Sequence, residues 1–226
     1  MHDTPLAAGE GFSKMYGSPG KVVIDVGGQD INGSLRSFFE SAGMKYICLD
    51  MVEHPSVDIV VKPGEPFPFP DGSIDIIVST SCFEHDPCFW MTFREMARVV
   101  KEGGFIYVNA PSNGAYHGYP GDNWRFYGDA GQALAHWSGR VFMNVSYPTE
   151  VIETFHVLPY NTVYNDWAGA SNWSGVGKWN DFVCVWKRVS KATEEIVNID
   201  IRNKVGKLET YLRDVSKCSI HKMKHS

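Results

Sequence analysis

The segment Val22-Val23-Ile24-Asp25-Val26-Gly27-Gly28-Gln29-Asp30 constrains this chain more than any other. Its apolar run has the composition of a strand buried on both faces, the kind found in parallel sheets. The run ends in an acid and opens into a glycine-built turn. Glycines there let the backbone approach a ligand closely, and a helix that follows aims its first amides at the same place. A dinucleotide site uses Gly-x-Gly-x-x-Gly, so that amides cradle a pyrophosphate. Here the pattern is Asp-x-Gly-Gly-x-Asp. Two carboxylates beside the turn would repel a pyrophosphate and suit a ligand carrying an ammonium or sulfonium cation. That points away from NAD and toward S-adenosylmethionine.

Further strands are expected at 21–26, 45–49, 57–61, 74–79, 105–109, 140–146 and 182–186, with helices at 33–41, 89–100 and 129–137. Strands alternating with helices predict an α/β fold, a doubly wound parallel sheet with helices on both faces. Gly103-Gly104 reads as the stop of the second of these helices. With 226 residues, the chain holds one such domain, expected over 1–190, and a C-terminal helical extension over 191–226. Within the domain, 148–181 reads as an aromatic insertion before the last strand, rich in Trp, Tyr, Asn and Gly. It would cap a site or form an interface. In the extension, Ile201, Val205, Leu208, Leu212 and Val215 make an a/d seam. Such a seam serves either a helix packed on its own domain or one paired with a second copy in a homodimer.

A net charge of −5 argues against a nucleic-acid partner. The stretch 1–20 is polar and nothing resembles a membrane span or a secretory signal. The five cysteines are scattered and odd in number, which fits free thiols in a reducing, cytoplasmic compartment. No Cys/His spacing resembles a zinc site and no run of acids suggests a metal, so none is expected.

These features together resemble the class I S-adenosylmethionine-dependent methyltransferases, the branch called type 11. Asp25-Val26-Gly27-Gly28 is similar to that family's first motif, and Asp50 in Cys48-Leu49-Asp50-Met51 to its ribose-binding acid. Pro68-Phe69-Pro70-Asp71-Gly72-Ser73-Ile74-Asp75-Ile76-Ile77-Val78-Ser79 resembles its fourth-strand segment, and Phe83-Glu84-His85 its Leu-Glu-His. Arg94-Glu95-Met96-Ala97-Arg98-Val99-Val100-Lys101-Glu102-Gly103-Gly104 resembles the helix and turn before its fifth strand. The resemblance spans 20–186 and implies a Rossmann-like, seven-stranded, mostly parallel sheet with an antiparallel last strand. Two departures stand out. Asp30 follows Gly28 after one residue, where the family often has a third glycine, and Lys62 stands where an adenine-binding acid would fall.

The resemblance assigns Asp25, Gly27, Gly28, Asp30, Asp50, Met51, Ser79 and Ser81 to the cofactor. Asp25 would meet the methionine ammonium, and Asp50, at a strand end, would accept from the ribose diol. Asp30 serves equally well as a cap of the next helix. After the fifth strand comes Tyr116-His117-Gly118-Tyr119-Pro120-Gly121-Asp122-Asn123-Trp124-Arg125-Phe126-Tyr127. A similar stretch occurs in methyltransferase-like proteins linked to bacterial polysaccharide genes. For a hydroxyl acceptor a base is needed, and His117 is its first candidate, with Asp122 orienting it or acting itself. His85 is a further candidate. Tyr116, Tyr119, Trp124, Arg125 and His156 are the expected substrate contacts, Arg125 with Asp122 or Asp129 as an alternative partner. The expected reaction is O-methylation of a small polar acceptor such as a sugar, nucleotide-sugar or glycan end. N- or C-methylation of another small molecule and a non-catalytic, cofactor-binding scaffold are the alternatives.

Overall fold

The computed structural model describes residues 3–118, 120–140, 144–159, 180–190, 205–215 and 218–221. In chain order the elements are α1 (Asp3–Tyr16), β1 (Val22–Val26), α2 (Arg36–Ser41), β2 (Lys45–Asp50), β3 (Ile59–Val60), β4 (Ile74–Thr80), α3 (Phe89–Val99), β5 (Val100–Pro111), α4 (Ala130–Gly139), β6 (Thr149–Pro159), β7 (Asp181–Arg188), α5 (Lys207–Asp214) and β8 (Cys218–His221). The apolar runs assemble into one eight-stranded sheet in the order β3-β2-β1-β4-β5-β7-β6-β8. The strands β1 to β5 are mutually parallel. β7 is antiparallel to β5, and β6 is antiparallel to β7, so β6 points the same way as the first five. This is the doubly wound, Rossmann-like sheet expected, with β8 added on the edge, antiparallel to β6.

Alternation along each central strand divides the core in two. Ile24, Ile77, Ile106 and Trp186 bury one face with Phe93 and Met96 of α3 and Leu134 of α4. Val23, Val78, Tyr107 and Val185 bury the other with Phe12 of α1, Phe39 of α2 and Leu208 and Leu212 of α5. β1 lies between β2 and β4, and the chain changes direction of winding there. Ligand crevices form outside the carboxyl ends of strands at such a switch point.

Several expectations are corrected. The sixth strand lies at Thr149–Pro159, not 140–146. Val151, Phe155 and Val157 alternate into the core there, whereas Asn144 adopts a positive φ of 65° and Val145 is exposed. The first part of the expected aromatic insertion is therefore sheet, and 160–179 falls outside the described residues. Gly103-Gly104 does not end α3. Val100 is already extended and pairs with Ile74, and Gly103, at φ 80°, sits where the β4–β5 register breaks.

α1 goes unanticipated because Gly9 and Gly11 depress helix propensity. Both are needed for contact: a Cβ on Gly9 would meet Leu35 Cδ2, and one on Gly11 would lie 2.9 Å from Tyr211 Cδ1. Of the expected seam, Ile201 lies outside the described residues. Leu208 and Leu212 are fully buried against α1, and Val205 is 58% exposed. Glu153 receives the Leu208 and Glu209 amides, each at 3.1 Å, and so caps the N-terminus of α5 from within the same domain. Of the two readings of the seam, Leu208 and Leu212 follow the first, a helix packed on its own domain. Leu208→Ala is expected to lower stability by about 2–5 kcal/mol, measured by denaturant unfolding, with no change in oligomeric state. A change in molecular mass without loss of stability would contradict this placement.

Candidate functional site

The glycine turn is shaped by what packs beneath it. Gly27 has φ 73°, and a Cβ there would collide with Cys82 Sγ, so the turn sits directly on the segment leaving β4. A Cβ on Gly28 would fall 2.5 Å from Asp25 Oδ2. Asp25 is 1% exposed, accepts a hydrogen bond from the Tyr46 hydroxyl, and leaves Oδ1 without a partner among the described residues. Burial pushes its carboxyl up to about 7, against the pull of the Tyr46 hydrogen bond.

Asp50 closes β2 beside the same turn. Its Oδ2 accepts from the Gln29 amide at 3.1 Å, and Oδ1 from the Met51 and Val52 amides at 2.7 and 3.3 Å. These bonds fix the carboxylate while leaving lone pairs for a diol. Met51 is 42% exposed on the rim, its carbonyl accepting from Lys62 Nζ at 3.1 Å. Asp30 is exposed. Its Oδ1 takes the Gly33 amide at 2.9 Å, a turn-closing role. Ser79 is fully buried and donates to the Val26 carbonyl at 2.8 Å, so it ties β4 to β1 rather than lining an open pocket. Ser81 leaves β4 at φ 51°, its amide on the Asn109 carbonyl at 3.0 Å. Beside it, Thr80 and Asn109 are register partners whose buried side-chain polar atoms have no partner among the described residues. Buried polar atoms without partners at the carboxyl edge mark a place for a polar ligand.

The loop after β5 folds back onto the exit of β4. The Asn123 and Trp124 amides both donate to the Glu84 carbonyl, at 2.7 and 3.2 Å, and Trp124 Nε1 donates to the Asp86 carbonyl at 2.9 Å. Phe126, buried, packs among Phe83, Phe89 and Phe182. This brings Glu84, His85, His117 and Asp122 together. His85 and His117 meet edge to face with centroids 4.9 Å apart. Their Nε2 atoms lie 3.7 and 3.8 Å from Glu84 Oε1. Glu84 is 1% exposed, and its Oε2 has no partner among the described residues. Glu84 is a site residue that sequence reasoning misses. Its signal was its place beside His85 just after a strand end.

Asp122 Oδ2 lies 3.1 Å from His117 Nδ1 and accepts the His117 amide at 2.8 Å. Arg125 grips both oxygens of Asp122, with one bond at 2.7 Å. Burial raises Asp122, but Arg125 and the His117 amide outweigh it and hold the carboxyl at about 2. Asp122 is therefore a poor base and a good orienting partner. The facing Glu84 carboxylate raises the His117 imidazole above 6.5, with Asp122 adding to it and burial opposing it.

Among expected substrate contacts, Arg125 takes its alternative partner: its guanidinium is engaged by Asp122 and by the Trp124 and Ala115 carbonyls. His156 lies on β6, 1% exposed, with Nδ1 2.8 Å from Ser112 Oγ. Tyr116 is 76% and Trp124 37% exposed. Tyr119 lies outside the described residues.

Asp181, like Asp25, is raised to about 7, chiefly by burial. A carboxyl raised above its unfolded value favours the fold below about pH 4, and that contribution is lost as pH climbs through about 7. The raised His117 has the same sign. Stability is expected to fall by about 1.4 kcal/mol per pH unit for each carboxyl between pH 5 and 7. Asp25→Asn is expected to flatten the slope by its share, read from urea midpoints at each pH. An unchanged slope would contradict the assignment.

Residues 23–108, less than half of the chain, match the family described as Methyltransferase domain. An uncharacterized methyltransferase of Mycobacterium leprae (strain Br4923) is 29% identical over 120 residues, covering 47% of this chain and 44% of that protein. The chain thus spans less than half the length of the curated relatives it matches. Among solved structures, the [4+2]-cyclase SpnF aligns with a TM-score of 0.58 at 12% identity, covering 81% of each chain. Burkholderia thailandensis 1,6-didemethyltoxoflavin-N1-methyltransferase, solved with S-adenosylhomocysteine, aligns with a TM-score of 0.55 at 12% identity, covering 83% of this chain and 80% of that one. The fold is that of class I methyltransferases. No described helix is long and apolar enough to cross a membrane.

Proposed function

We propose that this chain is an S-adenosylmethionine-dependent methyltransferase acting on an oxygen of a small polar acceptor, of the sugar or nucleotide-sugar kind. One observation carries the reading. A glycine turn flanked by Asp25 and Asp50 sits directly on the β4 exit, and that exit leads within two residues to the Glu84, His85 and His117 centre. Asp50 would hold the cofactor's ribose and Asp25 its methionine ammonium, and the bound cofactor would supply an electrophilic methyl group. His117 accepts the hydroxyl proton at Nε2, the nitrogen that faces Glu84, while Asp122 holds Nδ1. Trp124 and Tyr116 offer exposed rings on which a sugar face stacks.

An amine acceptor is the second reading. The unpartnered Glu84 Oε2 would suit an ammonium, and the Burkholderia neighbour is named as an N1-methyltransferase. A protein with this fold is also named as a cyclase, so fold by itself does not supply the reaction. The test is transfer of labelled methyl from S-adenosylmethionine to sugars, nucleotide-sugars, phenols and amines. An ether product supports the proposal. Methylation of nitrogen replaces it with the second reading, and cofactor binding without transfer to any acceptor favours a scaffold.

A further inference from the structure

Glu84, His85 and His117 bring one carboxylate oxygen and two imidazole nitrogens within 4.8 Å of one another. We propose that they bind one divalent first-row transition-metal ion, with both Nε2 atoms and the Glu84 carboxylate as ligands. Two imidazoles and a carboxylate are a donor set that holds such ions and leaves coordination positions open. Ligands about 2.0–2.2 Å from one ion stand about 3–4 Å from each other. The two Nε2 atoms lie 3.7 and 3.8 Å from Glu84 Oε1, so small side-chain shifts close the site.

The surroundings match the ligands. A metal-binding histidine has its second nitrogen fixed by a carbonyl or carboxylate, which turns the lone pair of the first toward the ion. His85 Nδ1 meets the Gly121 carbonyl, and His117 Nδ1 lies 3.1 Å from Asp122, itself clamped by Arg125. Glu84 supplies an independent observation. A buried carboxylate is costly without a cation, and Oε2 has no partner among the described residues. His117 is 38% exposed on its side chain, which gives an ion a way in.

The ion's role rests on the proposed methyl transfer, whereas its binding does not. Held by the ion, the acceptor hydroxyl is more acidic and releases its proton to water. Its oxygen lone pair forms the C–O bond as the C–S bond breaks, and the bonding pair moves to sulfur to leave a neutral thioether. His117 then holds the ion instead of the proton.

The test uses the full chain stripped with a chelator, titrated with Zn²⁺ by calorimetry and with Co²⁺ by visible absorption. The expected result is one site of micromolar or tighter affinity. Glu84→Gln, His85→Gln and His117→Gln should each weaken it by about 100-fold or more, and Asp122→Asn by about 10–100-fold. S-adenosylhomocysteine binding is measured on the same variants as a check of fold and crevice, and is expected to persist. Absence of saturable binding to the stripped wild type up to roughly 1 mM ion would overturn the site. So would equal affinity in Glu84→Gln and His117→Gln, which would place the ion on other histidines. Zn²⁺ binding lost in the variants while S-adenosylhomocysteine binds no form would keep the metal site and sink the cofactor reading.

Discussion

His117→Ala is expected to lower kcat by about 100-fold or more while leaving affinity for S-adenosylmethionine within about twofold, because no cofactor contact is assigned to this imidazole. The pH profile carries the more specific expectation. Glu84 and Asp122 raise His117, so its neutral form accumulates only as pH climbs through a value above 6.5. In the chain stripped of metal, the rate should rise tenfold per pH unit below that point and level off above it. Removing one of the two charges, as in Asp122→Asn, should move the midpoint back toward 6.5. A rate loss in His117→Ala accompanied by an equal loss of cofactor affinity would instead mark His117 as a prop of the loop. A midpoint unmoved in Asp122→Asn would remove the orienting role.

Asp50→Ala should weaken S-adenosylhomocysteine binding by about 10–100-fold, the worth of hydrogen bonds to a charged acceptor. Two effects add. The ribose loses its acceptor, and the Gln29, Met51 and Val52 amides that converge on the carboxylate lose theirs, so the turn loosens. Asp50→Asn keeps one oxygen and should fall between. The KM for S-adenosylmethionine should rise with little change in kcat, as for an interaction made equally in ground and transition states. Calorimetry reads this directly. An unaltered affinity in a folded Asp50→Ala protein would put the ribose elsewhere.

Why some of this was legible in the sequence and some was not follows from the range of the interactions. Strand β1, its glycine turn and Asp50 are local patterns, each written in fewer than ten residues, and the parallel sheet follows from their alternation with helices. Asp25, too, could be named from the sequence, but not its burial or its Tyr46 partner, since these depend on which strand lies alongside. Glu84 and His117 are more than thirty residues apart, and only the folding back of 121–126 onto the β4 exit joins them. Arg125 was ambiguous for the same reason: a guanidinium three residues from a carboxylate pairs with it or with a ligand according to the turn between them. Helix α1 was obscured by glycines that weaken it locally and make room for Leu35 and Tyr211. The seam in α5 was real as periodicity, but periodicity does not say whether the covering surface belongs to the same copy.

Titration of the wild-type chain with S-adenosylmethionine, alongside NAD as a control, tests the central claim most directly. The account predicts one site of micromolar affinity for S-adenosylmethionine and no binding of NAD, because Asp25 and Asp50 favour a cation at the turn where a pyrophosphate would need to sit. A folded protein that gives no heat with S-adenosylmethionine at roughly 1 mM, or that prefers the dinucleotide, would contradict it.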